Sequence, residues 1–447
     1  MGRSCLSVPG DEVASSPALY GDWMRCRVDY GSNGLHITLP DERVTIIEPL
    51  GGPAVSDPVE AIVAALRAPR GGGPALGTLA RPGRSNAISV CDVTRAQPRR
   101  EMLTALFREM PDVRPEDVTI LIATGTHRAN TEAELERMLG REILNRYRVI
   151  NHDARDASML LPAGRTSTGV PVFLNRFWIG ADVRITTGFV EPHFFAGFSG
   201  GPKMVAPGLA GLDTVMTLHD AARIAHPRAV WGITEGNPIH EDVREIARMT
   251  GVHFAVDVTL NRDHEITGVF AGDLFDEHAV ACAAAKRSAM RAVPALFDVV
   301  LTSNSGYPLD QNLYQAVKGM SAAARVVKPG GTIICAAECR DGWPSHGSYR
   351  PLLQSQPTLA ALLAMITAPG YAQPDQWQVQ IQAQIGLKAR VLVKAEGLTP
   401  DELRAAHVEP VQDLDDAVAS VLTAAGPEAT LCVRPQGPQT IPYLANE

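Results

Sequence analysis

Short apolar runs alternate with amphipathic stretches through most of this 447-residue chain, and that alternation restricts the fold more than any other feature. Residues 86–90 read as a short strand, Cys91-Asp-Val-Thr-Arg95 follows, and a helical pattern runs from 98 to 110. Residues 118–123 repeat the order, with Thr124-Gly-Thr-His-Arg128 and a helical pattern over 131–139 behind them, and 148–151 is a further strand. Strand, loop and helix in that succession predict a parallel sheet with crossover helices. Ligands of such sheets sit beyond the carboxyl ends of the strands, where Asp92, Arg95 and His127 stand.

The length predicts two domains. Residues 1–24 are small, polar and aperiodic and read as a loose extension. An N-terminal α/β domain is expected over 25–293. It opens with a hairpin (25–29 and 34–39), a strand at 44–48 and a helix over 57–66 capped by Asp57-Pro58. It continues with strands at 170–174 and 181–187, a helix over 214–224 carrying His219, a helix over 239–249, an antiparallel pair at 253–260 and 265–270, and a helix over 276–291. A boundary is expected near Pro294, with a second α/β domain over 294–447. There the pattern gives a strand at 297–302, a helix over 311–327 with Asp310 as N-cap, and a turn at Pro329-Gly-Gly331 before a strand at 331–336. Helices over 352–366, 375–389, 399–406 and 414–424 and strands at 390–393 and 429–433 complete it. The fold class is α/β: two domains with mostly parallel sheets and an active-site cleft between them.

A formal net charge of −8 is the wrong sign for a nucleic-acid surface but leaves room for local arginines to bind an anion. The seven cysteines form no CxxC pair and predict reduced thiols in the cytoplasm. No apolar run has the length of a membrane span, and the N-terminus lacks a signal-peptide pattern.

The chemistry concentrates in Gly188-Phe-Val-Glu-Pro-His-Phe-Phe-Ala-Gly-Phe-Ser-Gly-Gly-Pro-Lys203 and its continuation to His219. Glycines in a turn permit positive φ and close backbone approach to a ligand. Lys203, directly after Gly200-Gly201-Pro202, suits a phosphate or a covalent bond. The segment misses the GxxxxGK pattern, and Met204 stands where Ser or Thr would hold magnesium, so ATP or GTP binding is not expected. His193 follows Glu191-Pro192, whose proline fixes the local backbone. His219 and His226, seven apart on a helix, would face the same way. No HExxH or comparable zinc spacing exists. Asp92 and Arg95 read either as a local ion pair or as a carboxylate-binding fork. His127 reads either as a base or as a structural imidazole. Tyr314 and Lys318, four apart, share a helix face that points either to solvent or to a cleft, and Trp377 reads either as core or as site.

Taken together, Asp92-Val-Thr-Arg95, Ala123-Thr-Gly-Thr-His-Arg128, Pro192-His193, Ser199-Gly-Gly-Pro-Lys203, His219, Tyr314 with Lys318, and Asp375-Gln-Trp377 resemble the lactate racemase family, which uses a nickel-pincer nucleotide. The resemblance runs from about residue 25 to the end. It implies a pyridinium-3,5-bisthiocarboxylic acid mononucleotide carrying nickel. Lys203 would attach it covalently, His219 would be the protein ligand to the metal, and Asp92, Gly200, Gly201 and Trp377 would support it. His127 and His193 would be the acid/base pair, one for each face of the substrate carbon. Arg95, Lys318 and Tyr314 would bind a 2-hydroxy acid. The implied reaction removes the hydroxyl proton, moves the C2 hydride to the ring, and returns both on the other face. Separate biosynthetic enzymes would supply the cofactor. Phe194, Phe195 and Gln315 are expected to shape the pocket for the substrate side chain, away from the cofactor chemistry. A pyridoxal-type enzyme built on Lys203 and a non-catalytic cofactor carrier are the alternative readings.

Overall fold

The computed structural model describes residues 23–345 and 347–445. Most of the extension expected over 1–24 lies outside the described residues; Trp23 and Met24 already belong to the first strand, Trp23–Val28. The chain divides into two compact units, one from Leu50 to Ala289 and one that joins the residues up to Pro49 with those from Met290 onward. The hairpin Trp23–Val28 with Leu35–Pro40 and the strand Val44–Ile46, expected in the N-terminal domain, therefore belong to the other unit. The reason is pairing: Val44–Ile46 adds a parallel edge strand beside Leu431–Arg434.

The Leu50–Ala289 unit is built on a six-stranded sheet ordered Ile266–Gly272, Phe254–Leu260, Val183–Phe189, Asn86–Cys91, Val118–Ala123, Arg148–Asn151. Its neighbours run parallel except the first two, which form the antiparallel pair read from the pattern. All six residues of Asn86–Cys91 are buried, as a strand covered on both faces requires. Side chains alternate between the faces. Ile88, Val90, Ile120, Ile122, Ile185 and Val256 join one core with the helices Pro58–Arg67 and Arg99–Arg108. Ala87, Leu121 and Ala255 join the opposite core, which holds Trp178 and Leu218.

This strand order contains one switch point. From Asn86–Cys91 the chain moves outward to Val118–Ala123, and from Val183–Phe189 it moves the other way to Phe254–Leu260. The loops leaving these two neighbours diverge, which leaves a crevice at their carboxyl ends.

The other unit carries a second six-stranded sheet, wholly parallel, ordered Glu409–Val411, Arg390–Lys394, Val327–Ala336, Phe297–Ser303, Leu431–Arg434, Val44–Ile46. Here the switch point is filled. The fully buried Arg434 donates to Thr302 Oγ1 (3.1 Å) and to the carbonyls of Gly319 (3.3 Å), Gly437 (2.6 Å) and Thr440.

Several local expectations change. The helix expected over 214–224 is two, Leu212–Leu218 and Ala221–Ile224, because Asp220 caps the second through the amide of Arg223. His219 sits at the break, so it does not share a helix face with His226. The single helix expected over 352–366 is Tyr349–Leu353 and Leu359–Ile366, the latter capped by Thr358. Pro329-Gly-Gly331, expected as a turn before the strand, lies within it: Val327–Ala336 runs through with a register shift against Phe297–Ser303. Asn312, not Asp310, caps the helix Leu313–Ala324; Asp310 instead accepts from the amides of Gly31 (2.7 Å) and Glu338 (3.0 Å). Residues 160–165, left without a strand by their weak pattern, form an antiparallel pair with Pro171–Asn175.

Candidate active site

The loop after Asn86–Cys91 is shaped by two side chains that draw no attention in the sequence. Arg99 is buried and gathers carbonyls: Nε donates to Cys91 O (2.8 Å), Nη1 to Gln97 O (3.1 Å), and Nη2 to Arg95 O (2.8 Å) and Asp92 O. Gln97 accepts the Cys91 amide at Oε1 (2.7 Å) and donates to Thr187 Oγ1 (2.9 Å) on the neighbouring strand. The two fix the loop from beneath, because a buried arginine must find acceptors for its N–H groups. Nothing in their spacing reveals this; a basic residue at a helix start usually lies in water.

That fixed loop aims Asp92 at His127. Asp92 Oδ2 lies 2.7 Å from His127 Nδ1, and Oδ1 accepts from the Thr94 hydroxyl (2.7 Å) and amide (3.2 Å). Burial pushes the Asp92 carboxyl up, but the His127 hydrogen bond and charge, Arg95 and the Thr94 hydroxyl outweigh it and hold it at about 2. The carboxylate is thus an acceptor at neutral pH. A proton on His127 Nδ1 can donate to that carboxylate, which in the neutral ring leaves the lone pair on Nε2, the arrangement of a base oriented by an acid. The His127 side chain is 41% exposed while that of Asp92 is 5% exposed, so the imidazole projects from a buried anchor. Both Asp92 oxygens are engaged within the protein, Oδ2 by the His127 ring and Oδ1 by Thr94. Arg95 is half-buried and donates to Thr94 O (3.3 Å) and Oγ1 (3.1 Å). Arg128 turns away and pairs with Glu134, in the capping box of Glu132–Leu139.

The loop after Val183–Phe189 supplies the other half. A two-residue ladder pairs Pro192–His193 with Gly197–Phe198, and the Ala196 amide donates to His193 Nδ1 at 3.3 Å. Ser199 laces the turn shut: its hydroxyl donates to Phe189 O (2.8 Å) and accepts the Glu191 amide (2.9 Å). Lys203 follows in the single turn Gly201–Met204, its amide donating to Gly200 O at 3.1 Å. The Gly125 amide donates to Gly208 O (2.9 Å), which ties the His127 loop to the lysine segment.

Phe195 connects these parts. Its buried ring meets His193 edge-on (4.5 Å between centroids) and His219 edge-on (5.1 Å), and the Lys203 ammonium lies 5.7 Å from its centroid. Asn237, fully buried, holds the Phe195 carbonyl at 2.9 Å. Phe195 therefore touches the groups expected to hold the cofactor, a correction to the expectation that it shapes only the substrate side.

His219, at the end of Leu212–Leu218, is buried and its Nδ1 lies 2.7 Å from Val215 O. A carbonyl only accepts, so the ring proton is on Nδ1 and the lone pair on Nε2. Burial, partly opposed by that hydrogen bond, pushes the imidazole down to about 4 and keeps it neutral near pH 7. A neutral imidazole with its other nitrogen bound to a backbone carbonyl is what metal-ligating histidines present. Among the described residues no group of three or more His, Cys, Asp or Glu side chains is arranged to hold a metal ion by itself. A metal beside His219 would take its other donors from a bound molecule.

Gly200 and Gly201 turn their Cα faces toward the protein interior. Both have positive φ, 70° and 48°. A Cβ on Gly200 would meet Val190 and Asp257, and one on Gly201 would meet the ring of His278. His278 is buried, donates from Nε2 to Ser199 O (2.9 Å), and is pushed down by burial to about 4 from an ordinary 6.5. Its folded value lies below its unfolded one, so the unfolded chain binds the extra proton and stability falls as pH drops from about 6.5 to 4. His278→Gln should make the fall of stability over that window shallower by up to about 1.4 kcal/mol per pH unit, read by urea unfolding at pH 7, 6 and 5.

In the other unit, Tyr314 and Lys318 lie one turn apart on Leu313–Ala324. Lys318 Nζ donates to Gln315 Oε1 (2.8 Å). Trp377 Nε1 donates to the Tyr314 hydroxyl (3.2 Å), and Tyr349 packs edge-on against the Tyr314 ring at 5.3 Å. Trp377 thus orients Tyr314, through residues 63 apart in sequence.

Two units with mostly parallel sheets, one with ionisable side chains gathered at its switch point, define an α/β enzyme of the doubly wound class. Comparison with known proteins makes this specific. The profile of the lactate racemase N-terminal domain matches residues 30–232, and that of the lactate racemase C-terminal domain matches 292–441. The chain is 38% identical over 362 residues to a lactate racemase of Lactiplantibacillus plantarum, covering 80% of this chain and 85% of that one. It is 34% identical over 420 residues to a lactate racemase of Thermoanaerobacterium thermosaccharolyticum, covering 93% and 98%. The solved apoprotein structure of a lactate racemase from the latter organism superposes with a TM-score of 0.86 at 32% identity, over 94% of this chain and 99% of that one. A crystallised Thermotoga maritima protein at 19% identity, covering 87% and 99%, shares the fold, with a TM-score of 0.67. The chain belongs to the lactate racemase family and is an isomerase of the racemase type.

Proposed function

We propose that the chain inverts C2 of a 2-hydroxy acid with the help of a nickel-pincer nucleotide held by Lys203 and His219. The observation that carries the reading is the shared contact of Phe195 with Lys203, His193 and His219, two strand ends from the Asp92–His127 pair. The residues fit the group. His219 offers one neutral imidazole, and soft sulfur donors with an imidazole in a square arrangement suit Ni(II). Lys203 supplies an amine at a rigid turn for covalent attachment. The bound nucleotide would supply a ring that takes up a hydride and gives it back.

The chain's own residues handle the protons and the carboxylate. His127 Nε2 takes the hydroxyl proton on one side, and the Asp92 carboxylate steadies the imidazolium that results. His193 serves the opposite side, so each mirror-image substrate meets a base. Arg95 binds the substrate carboxylate, for which a guanidinium fork is well matched, and the same role is proposed for Lys318 and Tyr314. Separate biosynthetic enzymes supply the nucleotide, and the seven cysteines, which form no CxxC pair, accord with a cytoplasmic location. No helix among the described residues is long and apolar enough to cross a membrane.

The relatives' names put lactate first in a substrate panel that also takes malate, phenyllactate and sugar acids. Chiral analysis of the loaded enzyme should show inversion of at least one of them. His127→Ala and His193→Ala should keep the cofactor and lose roughly 10²- to 10⁴-fold in turnover. Full activity of both variants would refute the acid/base assignment.

A further inference from the structure

Beneath the lysine turn lie two acids that the reaction does not use. Asp257 is on Phe254–Leu260, in register with Gly188 on the neighbouring strand. Its Oδ2 accepts the Gly201 amide at 2.7 Å. Glu277, on the helix Leu274–Ala289, meets the Asp257 carboxyl. Both are buried, Asp257 at 1% and Glu277 at 0% exposure. Among the described residues no N–H or O–H donor reaches either Glu277 oxygen. Two carboxylates in contact inside a protein cannot both be ionised, so the pair shares a proton. Burial and the neighbouring Asp257 push Glu277 well up, and burial, partly opposed by the Gly201 amide and Glu277, brings Asp257 to about 7. The two carboxyls hold one proton between them, and Gly201 N–H is a further donor to Asp257.

Such a pair is costly to bury, and apolar residues of the same volume would often serve stability as well. The surroundings show what it does instead. A Cβ on Gly188 would lie 2.5 Å from Asp257 Oδ1, and one on Gly200 would lie 2.9 Å from Oδ2. The glycines fit around the acid, and the amide it holds is two residues before Lys203.

We propose that Asp257, fixed by a proton shared with Glu277, is the positioning residue of the Lys203 turn, acting through the Gly201 amide. The paired glycines of Ser199-Gly-Gly-Pro-Lys203 serve this seat. The inference rests on Lys203 being the attachment lysine, so two readouts are needed. Amide hydrogen exchange of the apoprotein over residues 197–204 reports the seat without any cofactor. Intact mass after co-expression with the biosynthetic enzymes reports loading.

Asp257→Ala should speed exchange in that segment and cut Lys203 loading, each by roughly tenfold or more. Asp257→Asn and Glu277→Gln, which keep an acceptor and a donor in the same places, should restore both to near wild type. Wild-type exchange and loading in D257A, or D257N failing as badly as D257A, would overturn the proposal. If D257A does not fold, the double variant D257N/E277Q decides: retained protection over 197–204 supports the seat, and its loss refutes it. A wild-type chain that shows the protection but never loads Lys203 would refute the attachment reading and leave the hydrogen-bond seat intact.

Discussion

Asp92→Asn should leave a folded, cofactor-loaded chain that turns over its 2-hydroxy acid roughly 10²- to 10⁴-fold more slowly. The native carboxylate accepts from His127 Nδ1 and holds the lone pair on Nε2, where the substrate proton is to be taken. An asparagine keeps the shape, but its amide can donate to Nδ1 and favour the opposite tautomer. It also removes the charge that steadies the imidazolium. The Thr94 hydroxyl and amide still have an oxygen to bind, so the loop should hold. The decisive comparison is kcat against the fraction of chain loaded, measured on one preparation. A D92N protein that loads normally and turns over at the wild-type rate would show that this dyad is structural.

The larger effect is expected at Lys203. Lys203→Ala should carry no covalent adduct and show no inversion above the protein-free reaction, because a cofactor enzyme without its cofactor has lost the group that performs the difficult step. Lys203→Arg separates the two roles of the side chain. It keeps a cation near the Phe195 ring but has no amine to acylate. Loss in both variants assigns the role to the covalent bond. A K203R protein that races on unmodified would assign it to the charge. Borohydride treatment of the wild type should trap no pyridoxyl-lysine, and a trapped one would favour the pyridoxal alternative.

Much of this was legible in the sequence because it is local. Val118–Ala123 announces itself as an apolar run, and Thr131 and Asp57 mark their helix starts by side-chain chemistry that acts within three residues. The residues proposed for the site could be picked out as a motif set, but their mutual geometry could not. Asp92 reaches His127 across 35 residues, and Trp377 reaches Tyr314 across 63, distances that no periodicity encodes. At Gly200 and Gly201 positive φ was foreseeable, but their neighbours were not: Asp257, from a neighbouring strand, lies on the Cα side of Gly200, and His278 on that of Gly201. Arg99 and Arg434 escaped notice because burial, which sequence does not display for a lone arginine, is what turns each into a clamp.

The most direct test is intact-protein mass spectrometry with metal analysis on a single preparation that is also assayed for inversion of a 2-hydroxy acid. The account predicts an added mass located at Lys203, nickel in proportion to the modified fraction, and activity that scales with both. Full racemase activity from protein whose Lys203 is unmodified and which contains no nickel would contradict it.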